Sequence, residues 1–305
     1  MGHDHTHHHH HHGPASYDTA FAVGVALNVL FVALEVVYGL SANSLALLAD
    51  AGHNLSDVLG LLLAWGAMWL GRTPPSPHRT YGLRRSSILA ALANAILLLI
   101  AVGAIGWEAI GRFSSPAAVK GGVVMIVAGV GIVINTVTAL MFLSGRSRDV
   151  TIEGAFLHMA ADAAVSVGVV GAGLVIRRTG WAWIDPVVSL AIVVAITIGT
   201  WRLLRKSFNL AMDAVPEGID PHAVRAYLAS CPGVREVHDL HIWAMSTTEA
   251  ALTAHLIKPE MAEDEDAFLA EVGKQLHDRF GIEHPTIQIE RGNGAVCRLA
   301  DERVV

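Results

Sequence analysis

One spacing occurs twice in the chain, as His53-Asn54-Leu55-Ser56-Asp57 and as His158-Met159-Ala160-Ala161-Asp162. Each copy lies inside a stretch of mostly apolar residues long enough to cross a bilayer as a helix. Ionisable groups are least expected there, because each costs about 2.5–3.5 kcal/mol at the bilayer centre even on lenient insertion scales. The i,i+4 spacing puts each His and Asp on one helix face. Two such faces turned towards each other would make a tetrahedral N2O2 site, a donor set and geometry that suit Zn2+. Two carboxylates cancel the charge of the ion, so the loaded site is formally neutral. Once the ion leaves, two protons shared among the Asp and His groups would restore neutrality, so metal and protons compete for the same ligands. The competing reading is four polar groups holding helices together, but polar contacts within membranes usually use Ser, Thr or Asn rather than paired charges.

The elements that must position these residues follow from composition. Hydrophobic residues make up 53% of the 305 positions and charged residues only 16%, against about 25% in soluble domains. Mean hydropathy is +0.48. A net charge of −6 with no basic stripe argues against nucleic acid as a partner. Cys231 and Cys297 form no CxxC, which excludes a thiolate zinc ribbon and makes a disulfide framework unexpected. Six spans are expected, at Ala20–Leu40, Ser44–Leu70, Ser87–Ile110, Gly121–Leu143, Ile152–Ile176 and Ile184–Leu204. Arg72, Arg79, Arg84 and Arg85 flank the second connection, Arg146 and Arg148 the fourth, and Arg202, Arg205 and Lys206 follow the sixth span. The odd connections carry fewer basic residues, so the positive-inside rule places both termini in the cytoplasm. No cleavable signal peptide is expected before the first span.

Beyond Asn209 the pattern changes. Asp220-Pro221 reads as an N-cap with proline at N1, opening a helix that ends near Cys231. Val234–Ser246 and Glu249–Ile257 alternate as strands, Glu263–Asp266 opens a helix ending near Gly281, and Thr286–Glu290 reads as a third strand. The order αββαβ suits a small soluble α+β sandwich. Strict alternation puts His238 on a face with Leu240 and Ile242, and His241 with Asp239 and Trp243.

With Ser44–Asp57 (SLALLADAGHNLSD), the second HxxxD, Trp183-Ile184-Asp185-Pro186 and Val237–Trp243 (VHDLHIW), the chain resembles the cation diffusion facilitator family in its zinc-transporting branch, from Ala20 to Glu290. The resemblance implies an α-helical membrane protein, with six transmembrane helices followed by a small α+β ferredoxin-like (αββαβ) cytoplasmic domain. It implies a homodimer in the lipid bilayer of a bacterial inner membrane, exporting Zn2+ in exchange for protons by alternating access, with Cd2+, Co2+ or Ni2+ as further divalent cargo. His53, Asp57, His158 and Asp162 match the family's transport site. His238, His255, His284 and Glu290 are implied as ligands of a structural or regulatory Zn2+ in the cytoplasmic domain. Some members bind a second metal in the loop Gly71–Arg85, yet Arg79 and Leu83 stand here where such ligands would fall, leaving His78 as a lone relay candidate. The domain division expected is 1–16, a disordered His-rich segment; 17–208, the six-helix membrane domain; 209–295, the metal-binding domain; and 296–305, a tail. The His run of the first segment reads as a native leader or as a purification tag.

Asp50, one turn before His53, is expected to orient that imidazole, to relay protons, or to cap the helix. Asp185 is expected as a further polar neighbour or proton relay, with the N-cap of the sixth helix as the plainer reading. Asn28, Asn94 and Asn135 are expected to hydrogen-bond between helices, and Glu35 and Glu108 to sit at the membrane interface. Two other functions stay open. An intramembrane zinc metalloenzyme would need a general base as in HExxH, but positions 54 and 159 are Asn and Met. A membrane zinc sensor would have the same ligands without flux.

Overall fold

The computed structural model describes residues 15–115, 117–142, 150–259 and 264–292. The His-rich leader, Arg146, Arg148, Cys297 and the tail lie outside the described residues. So do the side chains at 15–24, 61, 64–65, 67–68, 141–142 and 150–158, which include that of His158.

Six long helices come first: α1 (Ala15–Ala42), α2 (Leu45–Gly71), α3 (Ser86–Ser114), α4 (Gly121–Phe142), α5 (Val150–Thr179) and α6 (Ile184–Ala211). Among the described residues, stretches of α1, α3, α4, α5 and α6 are long and apolar enough to cross a membrane, and α2 is a further helix of 27 residues carrying Asp50, His53 and Asp57. Their ends follow local chemistry. Asn43, at φ +56, makes the left-handed turn that lets α1 double back into α2, a conformation Asn adopts more readily than most residues. Pro186 sits in the first turn of α6, where its missing N–H costs nothing.

The chain forms two compact units, dividing at Leu59/Gly60, Ile96/Leu97 and Gly199/Thr200. The first contains α1, α4, α5 and the adjoining parts of α2, α3 and α6. Its core gathers Phe31, Leu47, Val102, Val124, Val169 and Ile192. Helices α4 and α5 touch closely through paired glycines: a Cβ on Gly121 would lie 2.6 Å from the carbonyl oxygen of Gly173. Large apolar side chains face outward, among them Ile100, Trp107 and Ile126. A water-soluble surface does not carry apolar faces of this extent, and a lipid-facing one does.

The second unit holds the remaining parts of α2, α3 and α6 and the C-terminal domain, built as α7 (Pro221–Ser230), β1 (Glu236–Ala244), β2 (Ala250–Ile257), α8 (Glu265–Phe280) and β3 (Ile282–Glu290). This is the expected αββαβ order. Asp220 caps α7 by accepting from the His222 N–H at 2.9 Å, and Asp264 caps α8 by accepting from the Ala267 N–H. The sheet order is β1-β2-β3, β1–β2 antiparallel and β2–β3 parallel. β3 begins four residues before the expected Thr286 and includes Pro285, which an edge strand tolerates because one side of its backbone needs no ladder bond. Val224, Leu228, Leu252, Leu256, Val272, Leu276 and Ile282 form the domain core. Within this unit Arg84 Nη1 donates to Glu249 Oε1 at 2.8 Å, the Thr247 N–H donates to Ser87 Oγ at 3.0 Å, and Arg85 pairs with Asp213.

Candidate metal sites

The two HxxxD helices are brought together. His53 Nε2 of α2 lies 3.3 Å from Asp162 Oδ1 of α5 and 3.9 Å from Asp57 Oδ2. One ligand atom from each of the three falls within 4.8 Å of the others, the spread a single bound ion requires. Asp162 is buried, while His53 and Asp57 keep roughly a third of their side-chain surface open, so the cluster is sheltered on one side and reachable on the other. His158 belongs to α5 four residues before Asp162, with its side chain outside the described part.

Behind this cluster the structure departs from expectation. Glu35 is fully buried inside the bundle rather than at the interface, and Asn54 Nδ2 donates to its Oε2 at 2.9 Å. Asp50 is buried as well, against Glu35 and Ser166. Position along α1 suggests a span end for Glu35, but its side chain packs against Asn54 of α2 inside the bundle. Glu108 does lie exposed, paired with Arg112. Asn28 donates to the sulfur of Met159 across to α5 at 4.0 Å, whereas both polar atoms of buried Asn135 are without a hydrogen-bond partner.

Asp185 caps α2 rather than its own helix. α6 begins at Ile184, so Asp185 already lies inside its first turn. Its carboxylate accepts from the Ser44 hydroxyl at 2.5 Å, the Leu45 N–H at 2.8 Å and the Ala46 N–H at 3.4 Å. Arg112, at the end of α3, stands 3.7 Å from the same carboxylate and donates to the Asn43 backbone and side-chain oxygens at 2.6 and 2.8 Å. These groups tie the starts of α2 and α6 to the end of α3, and so hold the helix that carries His53 and Asp57.

The C-terminal domain assembles a second cluster from His238, His255 and Glu290, again within 4.8 Å. His255 Nδ1 lies 2.9 Å from Glu290 Oε1, and His238 Nε2 lies 3.5 Å from Glu290 Oε2. Register explains the meeting, since His238 pairs with His255 across β1–β2 and Glu290 ends the strand beside it. His238 is buried with neither ring nitrogen hydrogen-bonded. A buried imidazole in that condition is costly, and a bound cation would relieve it, so these residues fit a resident metal.

Sequence reasoning missed Asp239 here. Its Oδ2 lies 3.4 Å from His255 Nε2 and its Oδ1 2.9 Å from His241 Nε2. A β-bulge between His238 and His241, with Asp239 at φ +50, adds one residue to β1 and inverts the alternation. Val237 and Ile242 therefore both enter the core, and the expected pairing of His238 with Ile242 on one face fails. The available signal was the residue type, since Asp takes up positive φ more readily than most residues.

His284 is not brought to this cluster. It pairs in register with Ala251, six residues before Glu290, and meets Tyr81 edge-on at 5.5 Å. Six residues along a strand span ~20 Å, which keeps His284, a ligand implied by the family resemblance, away from Glu290 in this protomer. His78, exposed in the α2–α3 connection, belongs to neither cluster of the described residues.

Residues 21–210 match the cation efflux transmembrane domain, and residues 216–292 match the cation efflux protein cytoplasmic domain. This chain belongs to the cation efflux family, the cation diffusion facilitators. Among its relatives, the metal cation efflux system protein CzcD of Cupriavidus metallidurans is 36% identical over 98% of this chain and 91% of that protein. The zinc transporter ZitB of Escherichia coli is 36% identical over 97% and 95% of the two chains. A cadmium, cobalt and zinc/H(+)-K(+) antiporter of Bacillus subtilis is 31% identical over 90% of each. Membership makes the chain an integral membrane cation efflux protein, and sets aside the metalloenzyme reading, because the family and these relatives are transporters rather than enzymes.

Proposed function

We propose that this cation diffusion facilitator exports Zn2+ from the cytoplasm in exchange for protons, working by alternating access as a homodimer in a bacterial inner membrane. The observation that carries the reading is the convergence of His53, Asp57 and Asp162 from two apolar helices on one point. His158 supplies the fourth donor, giving two imidazoles and two carboxylates. Zinc transport and exchange against protons are named for relatives that align over nearly the whole chain. Charge supports the exchange: the loaded site is neutral, and a site returning empty would carry two negative charges through a low-dielectric bundle unless protons replaced the ion. Both termini and the C-terminal domain face the cytoplasm, in line with the arginines at the even connections. There His238, His255 and Glu290 hold a resident Zn2+ that ties β1, β2 and β3 together, and Cd2+, Co2+ and Ni2+ are further cargo.

Zinc uptake into proteoliposomes under an imposed pH step, read alongside a lumenal pH dye, tests this reading. Zinc flux that follows the gradient with proton counter-movement supports it. Flux indifferent to the gradient would leave a uniporter, and binding without flux would leave a sensor.

A further inference from the structure

The membrane unit buries more acid than the transport cluster uses. Glu35 is 0% and Asp50 1% exposed, their carboxyls face each other, and Glu35 Oε1 and Asp50 Oδ2 have no backbone, Lys or Arg donor. Ser166 of α5 is fully buried beside Asp50, its hydroxyl turned to that carboxylate. Gly131 keeps α4 close at this level: a Cβ there would lie 2.5 Å from the Phe31 ring and 3.1 Å from Ser166 Oγ. Among the described residues no Lys or Arg pairs with either carboxylate.

These groups stand in line with the transport cluster. Asp50 precedes His53 by one turn of α2, and Ser166 follows Asp162 by one turn of α5. Both steps lead towards the same end of the bundle, where Asp185 of α6 holds the start of α2. Asn54, next to His53, reaches Glu35 and links the two levels.

We propose that Glu35, Asp50 and Ser166 form a second, all-oxygen station for a divalent cation, one helical turn beyond the His/Asp cluster. The inference rests on the transport reading and adds a step to it. Two carboxylates neutralise a divalent ion in a place where unpaired anions are costly. Oxygen donors hold zinc less firmly than imidazole and suit harder ions better. Such a site takes an ion from the His/Asp cluster and lets it go, as conduction requires of successive sites.

The test uses the full chain in lipid nanodiscs, with Mn2+ as the probe read by electron paramagnetic resonance. In an Asp57→Asn/Asp162→Asn background that also carries His238→Ala, His255→Ala and Glu290→Ala to empty the C-terminal cluster, one Mn2+ equivalent should remain, and adding Glu35→Gln and Asp50→Asn should remove it. Ser166→Ala keeps both carboxylates and should weaken that equivalent several-fold, which serves if the double carboxamide does not fold. In proteoliposomes Glu35→Gln alone should lower maximal zinc flux about tenfold with KM within about twofold, and Glu35→Asp should recover part of it. Unchanged Mn2+ binding after Glu35→Gln/Asp50→Asn, as expected of groups that only pass protons, overturns the station, and so does a KM that rises in step with the loss of flux. Failure of the transport reading would show separately, as undiminished flux from Asp57→Ala.

Discussion

The Leu45 backbone N–H at the start of α2 donates to Asp185 Oδ2 of α6 at 2.8 Å, across 140 residues of chain. This bond, with those of Ser44 and Ala46, satisfies the free amides that open α2 and places a negative charge at the positive end of its dipole. Asp185→Ala should therefore lower stability by roughly 1–2 kcal/mol, the usual size of a lost cap. Asp185→Asn should lose less, since its amide oxygen still accepts. Unfolding of the detergent-solubilised protein followed by tryptophan fluorescence measures both, and equal midpoints for Asp185→Ala and wild type would remove the capping role.

Asp57→Ala or Asp162→Ala takes one carboxylate from the cluster and leaves the ion's charge unbalanced. Zinc flux should fall to background while size-exclusion profiles stay those of the wild-type oligomer. Near-normal flux from either variant would sink the site assignment.

The His/Asp balance sets the preference among ions if ligand softness governs it. His53→Asp combined with His158→Asp should weaken zinc and relatively favour Mn2+ in competition flux. An unchanged order of preference would locate selectivity elsewhere.

In the C-terminal domain, His238→Ala with His255→Ala and Glu290→Ala should remove tightly bound zinc from the full-length protein, detected by metal analysis after dialysis, without abolishing transport. Asp239→Asn should weaken that binding, whereas His284→Ala should not. Loss of zinc on His284→Ala would contradict its placement beside Tyr81.

Burial pushes the Cys231 thiol above its ordinary range, and its Sγ donates to the Tyr227 carbonyl. A raised value means less thiolate at neutral pH, hence slow alkylation that quickens only as pH climbs. In a Cys297→Ser variant, maleimide labelling at pH 7 should lag that of a free thiol and catch up with it as pH is raised. Labelling at the free-thiol rate would show Cys231 to be open.

What the sequence determined by itself was local. Six apolar runs of spanning length, the i,i+4 spacing of His53 with Asp57, and caps such as Asp220-Pro221 depend on neighbours within a few residues, and each is legible from periodicity alone. Contacts between distant segments were not. Asp185 was placed at the right helix start, but which helix it caps depends on α2 and α6 meeting. Glu35 looked like an interface residue until α1 packed its face against Asn54. His284 was implied as a ligand beside Glu290, yet only the β2–β3 register shows it opposite Ala251 and out of reach. The bulge at Asp239 reversed the faces of β1 through one positive φ, a state that Asp can adopt but that side-chain alternation does not announce. Tertiary structure decided these because the energy that fixes them comes from burial and pairing across the chain, to which no single stretch of sequence holds both halves.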